Sequence, residues 1–189
     1  MKKNAYAYFS IWFLLFTFIT LYVTAQPEQP VIAYVTIQGM KQGQFKGGAM
    51  GAKQGTIECV GFSYSVQSPV DLASGMPTGK RQHSPVVIVK HLDGATPQLL
   101  QAAYSNEALK SVTIEFTKRG PDGRAMIYQT IQLSNASISR VSQYGGTASP
   151  DKLIPNNGIL EEISISFQKI EITNNDAKTT AADSWNNRQ

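Results

Sequence analysis

Ser74-Gly75-Met76-Pro77-Thr78-Gly79-Lys80-Arg81-Gln82-His83-Ser84-Pro85-Val86-Val87-Ile88-Val89-Lys90-His91 joins two opposite kinds of sequence. Its first half is punctuated by Gly75, Pro77 and Gly79 and solvated by Lys80 and Arg81, so it reads as a flexible basic loop. Its second half, Val86 to Val89, is an unbroken β-branched run suited to a strand buried on both faces. Working outward, Leu92-Asp93-Gly94-Ala95 leads into the one convincing helix, Thr96 to Ser105. Thr96 serves as its N-cap, Pro97 fits the first helical position, and Leu99, Leu100 and Ala103 share a face. A helix this short does not stand alone in water and must pack on a sheet.

The remaining chain alternates with a period of two. Val31, Ala33, Val35 and Ile37 mark a first strand, and Thr56 to Gln67 a second. Val112, Ile114 and Phe116 lead through the Pro121-Asp122-Gly123 turn to Ile127, Gln129, Ile131 and Leu133, which makes a hairpin. Ile138 to Tyr144 reads as a further strand, joined through a bend near Asn135. Ile159 to Thr173 is a long strand whose phase slips at Lys169, as at a bulge or barrel corner. Two long loops remain, Gly39–Gln54 and Ser68–Ser84. Loops of this length are uncommon in a compact domain unless they are functional or disordered. The sum is a mainly β chain: a small antiparallel β-barrel or sandwich with one short flanking α-helix.

Four segments resemble one family in matching order: Gly55-Thr56-Ile57-Glu58-Cys59-Val60-Gly61-Phe62-Ser63-Tyr64-Ser65-Val66, the quoted Ser74–His91 stretch, Leu92-Asp93-Gly94-Ala95-Thr96-Pro97-Gln98-Leu99-Leu100-Gln101-Ala102, and Ala182-Asp183-Ser184-Trp185-Asn186. They are similar to the Hcp tube proteins of bacterial type VI secretion. The resemblance implies a β-barrel with a flanking helix. It also implies six-fold rings that stack into a hollow, secreted tube, with sheath, spike and small effector proteins as further partners. Stacking needs contacts that reach the next ring. Met40, Phe45 and Met50 in the first loop, Lys80 and Arg81 in the second, and Trp185 near the end are the candidate interface residues.

The N-terminus departs from that family pattern. Lys2 and Lys3 precede an uncharged apolar run of about 13 residues, Ile11 to Val23, and Val23-Thr24-Ala25 suits signal peptidase. Residues 1–25 are therefore read as a cleaved signal peptide, 26–174 as the barrel domain and 175–189 as a polar C-terminal tail. The competing reading is an uncleaved membrane anchor, for which the run falls short of ~20 residues. A working signal places the protein in the periplasm or outside the cell, without stable membrane insertion. The alternative function is then an exported Hcp-like binding or adhesion module outside any secretion tube. Without a working signal, assembly is cytoplasmic.

The full chain carries 17 Lys and Arg against 13 Asp and Glu. Loss of Lys2 and Lys3 with the signal lowers the net charge from +4 to +2, since 15 − 13 = 2. No basic stripe interleaved with aromatics suggests nucleic acid. Cys59 is the single cysteine, so no internal disulfide framework exists, and its alternating context suits a buried small hydrophobe. His83 and His91 fit no zinc spacing and read as structural or surface groups. Thr78-Gly79-Lys80 lacks the glycine spacing and following helix of a phosphate loop. Glu161 and Glu162 point to opposite faces of a strand and cannot act as an acid–base pair. No catalytic, cofactor-binding or metal-ligating set is legible, and the reading is a structural protein rather than an enzyme.

Overall fold

The computed structural model describes residues 30–145 and 159–185, so the signal segment lies outside the described residues. Strand β1 (Ala33–Gly39) buries Ala33, Val35 and Ile37 while Tyr34, Thr36 and Gln38 stay half-exposed, the alternation its sequence predicts. Strand β2 (Gly43–Gln44) folds back on the end of β1. The predicted second strand is broken at Val60. Its first part, β3 (Ile57–Cys59), pairs with β1, and its second, β4 (Gly61–Ser63), pairs with β7 (Val86–His91). The Val60 N–H donates to the Val89 carbonyl at 2.8 Å, and Cys59 O accepts from Ile32 N–H at 2.8 Å. A Cβ on Gly61 would stand 3.0 Å from Val89 Cβ, so glycine admits the close approach at this corner.

The partner exchange carries the ladder round. Strand β8 (Ala108–Arg119) runs beside β1, and β9 (Ala125–Gly145) beside β8. Strand β10 (Ile159–Ser166) then joins β9 to β7. With β3 on β1 and β4 on β7, the antiparallel strands wrap into a barrel. Strand β9 is 21 residues long because it pairs with different neighbours along its two halves. Its first half lies between β8 and β11 (Lys169–Asn174), and its second half pairs with β10. The bend expected near Asn135 is there: Asn135 has φ 49°, and the ladder to β10 shifts register between Ser164 and Ile165. Ile163, Ile165 and Phe167 are buried, the strand breaks at Gln168, and Ile170 is buried on the new phase.

Several expectations are corrected. Thr179–Ser184, assigned to a polar tail, is strand β12, paired along its length with β11. Helix α1 (Thr96–Tyr104) starts at Thr96 rather than being capped by it. Ala95 is the N-cap and carries no side-chain cap, and Asp93 Oδ1 accepts from Ala95 N–H at 2.9 Å in a turn just before the helix. The buried helix face is Leu99 and Ala102, with Leu100 and Ala103 half-buried. Val87 and Val89 are also only half-buried, so β7 is buried fully on one face alone. Cys59 is fully buried, as expected, and burial pushes its thiol pKa up to about 11, which leaves it protonated.

Phe45 is the largest correction among the candidate interface residues. It is 1% exposed and belongs to the core, its ring packed so close to Gly39 that a Cβ there would sit 2.9 Å from it. The first loop folds back over the barrel because burying a phenylalanine is worth ~2 kcal/mol relative to leaving it in water. Its path is held by Phe45 N–H to Ile37 O at 3.0 Å and Gly48 N–H to Asp93 Oδ2 at 2.9 Å. Met40 and Met50 remain exposed on it, at 66% and 87%.

Candidate assembly site: a projecting arm and its root

The second loop is an arm. Strands β5 (Val66–Gln67) and β6 (Gln82–His83) pair only with each other, as a two-stranded sheet separate from the barrel. Beyond them Val70 bridges Pro77, and the tip turns at Asp71–Met76. Asp71 Oδ1 accepts from the N–H groups of Ala73 at 2.7 Å and Ser74 at 2.9 Å. Those donors hold its carboxyl below the usual carboxylate range. Gly75, at φ +68°, takes the left-handed position that closes the turn. Leu72 is 99% exposed and Met76 64%, with Val66 and Val70 half-open below them. A two-stranded ribbon is marginal in water by itself, and exposed apolar side chains at its tip make it a candidate contact surface.

The root of the arm is polar and aromatic. Ser84 N–H donates to Ser65 O at 2.9 Å, and Ser84 Oγ accepts from Ser65 N–H at 2.8 Å. The His83 imidazole is nearly buried between Tyr64, whose hydroxyl lies 2.7 Å from Nδ1, and Asp183, whose Oδ2 lies 2.9 Å from Nε2. Arg81 grips the same carboxylate with Nε and one terminal nitrogen. Trp185 meets the His83 ring edge to face at 5.6 Å and is itself 55% exposed. A half-open cleft of about 170 Å³ lies here, lined by His83, Ser84, Pro85, Ser166, Phe167 and Trp185. The structure thus brings two candidate interface residues, Arg81 and Trp185, together at the root, and leaves Lys80 exposed on the arm.

Two buried polar clusters escaped the sequence reading. At the end of the barrel beneath α1, Lys90 is fully buried on Glu161, with Nζ to Oε1 at 2.5 Å. Lys90 also reaches Asp93 Oδ1 at 2.8 Å and His91 O at 2.7 Å. Glu161 accepts further from Thr96 Oγ1 at 2.7 Å and Gln143 Nε2 at 3.1 Å, so the pair is satisfied on every side. The signal was present: Lys90 is in phase with Val86 and Ile88, and Glu161 with Ile163 and Ile165. The other cluster is Glu107, 2% exposed, which accepts from the Lys41 and Gln42 N–H groups at 2.6 and 2.9 Å and pins the first loop. Among the described residues no group of His, Cys, Asp and Glu is arranged to hold a metal ion, and no helix is long and apolar enough to cross a membrane.

The chain thus combines a β-barrel, a flanking helix and one apolar-tipped arm. The chain belongs to the Hcp family: the family described as "Type VI secretion system effector, Hcp" matches residues 34–173. It is 32% identical over 166 residues to the "Major exported protein" of Pseudomonas aeruginosa, covering 81% of this chain and 94% of that protein. It is similar to the structure titled "Crystal structure of Hcp protein", with 25% identity, a TM-score of 0.73, and 81% and 98% of the two chains covered. It is similar also to "Secreted protein Hcp3 from Pseudomonas aeruginosa", with 28% identity, a TM-score of 0.65, and coverage of 81% and 99%. The chain is accordingly a type VI secretion protein of the tube and effector class.

Proposed function

We propose that this protein is a tube subunit whose rings stack through the arm, with Leu72 and Met76 at its tip as the leading apolar contacts. The observation that carries this is the exposure of both side chains at the end of a ribbon whose strands, among the described residues, pair only with each other. Met40, Met50, Lys80 and Trp185 are secondary contacts, exposed on the first loop, the arm and the chain's end. Phe45 drops out, because its side chain already fills the core. The protein's role is structural, its first partner is itself, and sheath, spike and small effector proteins complete the set. Replacing Leu72 and Met76 together by Ser leaves single rings intact and shortens or abolishes stacks in negative-stain images. Stacks of unchanged length would remove the arm tip from the interface.

Residues 1–25 are proposed to be an export signal, with the mature chain beginning at Gln26; the N-terminal residue of the exported protein checks this. The alternative, an exported binding module, keeps the fold without the tube.

A further inference from the structure

The arm continues β4 and β7 past the Ser63–Val87 pair, and among the described residues β5 and β6 then pair only with each other, so beyond its root the barrel ladder does not hold it. Its direction is fixed at the root, and there the longest-range contacts come from strand β12. Asp183 lies 102 residues from Arg81 and 100 from His83, yet its carboxylate takes donors from both. One oxygen receives Arg81 Nε and His83 Nε2, and the other a terminal nitrogen of Arg81. Among the described residues strand β12 itself pairs only with β11. The arm and strand β12, the outer strand of the C-terminal hairpin, are tied together at this carboxylate.

We infer that Asp183 is the positioning residue of the arm, a clamp through which the C-terminal strand holds the arm at the angle that ring stacking needs. The last clause rests on the stacking reading above; the clamp itself does not. Three features support it. The carboxylate is gripped in the bidentate fork that gives Arg–carboxylate pairs their directional specificity. The first cause holding the Asp183 carboxyl well below the usual range is the Arg81 guanidinium; burial opposes this, while His83 and the Ser184 N–H add to it. Trp185, two residues on, closes over the His83 ring, and Trp185 N–H donates to Gln168 O at 3.0 Å, which fixes the end of β12 beside the arm root. The clamp also links the two regions energetically, so a neighbour that displaces β12 loosens the arm, and one that seizes the arm orders β12.

The test is hydrogen exchange on the full chain and on its Asp183→Asn variant. The amides of Asp71 and Thr78, bonded across the arm to Met76 O and Pro69 O, report arm order, and those of β1 and β8 report the barrel. The expected result is exchange about fivefold faster in the arm, with the barrel unchanged. Equal arm exchange in the two proteins would overturn the clamp. Should Asp183→Asn raise exchange everywhere, Arg81→Gln, which keeps the Asp183–His83 contact, decides: faster exchange confined to the arm upholds the clamp, and no change overturns it. Exchanging the charges, as Arg81→Asp with Asp183→Arg, restores arm protection in part, which a purely steric role of Asp183 would not. A looser arm with normal stacks would leave the clamp standing and sink the stacking reading instead.

Discussion

Glu107 shows how one carboxylate can order a loop. Burial by itself would raise its pKa; the Gln42 and Lys41 donors outweigh burial and hold the carboxyl below the ordinary value. A depressed folded-state pKa means that the stabilisation is fully present above the unfolded value of about 4.3 and is lost as pH falls through the folded one. Glu107→Ala strands two part-buried backbone N–H groups and costs about 1–3 kcal/mol in urea denaturation at neutral pH. The gap between wild type and variant shrinks below about pH 4; a gap that stayed constant into acid would refute the carboxylate's role. Asp183 has the same sign. Neither residue was legible as a bonding group, because their partners lie 65 to 102 residues away and leave no local pattern.

The elements were legible where a local rule governs them. The Pro121-Asp122-Gly123 turn between β8 and β9 follows from turn chemistry, with Gly123 at φ +76°. Pro97 inside the first turn of α1 follows from its missing N–H. The break of the second strand at Val60 was not legible, because partner exchange is a property of the closed barrel rather than of the strand. Strand β12 was missed for a related reason: Thr179-Thr180-Ala181-Ala182-Asp183-Ser184 is polar and exposed, and pairs only by adding to β11. The Lys90–Glu161 pair joins β7 to β10 under the start of α1, and loss of one partner leaves a buried charge. Lys90→Met costs about 3–5 kcal/mol in chemical denaturation, and Lys90→Met with Glu161→Leu recovers much of it. A double variant weaker than the sum of the singles would show that the pair sets the fold rather than tolerating burial.

At the scale of the molecule, low charge and a disulfide-free core fit a subunit that covers its surface with copies of itself. The chain has 16% charged residues, with ion pairs at the arm root, beneath the helix and along the strands. A heterologous interface closes into a ring when its rotation divides the circle, and a second contact normal to the ring then builds a tube. In the proposed assembly the barrel supplies the wall for the first contact and the arm the reach for the second. The most direct measurement is light scattering combined with negative-stain imaging of the purified chain from Gln26 onward. Six-fold rings that associate face to face are the predicted result; a monomer that persists at high concentration would contradict the account and leave the exported binding module in its place.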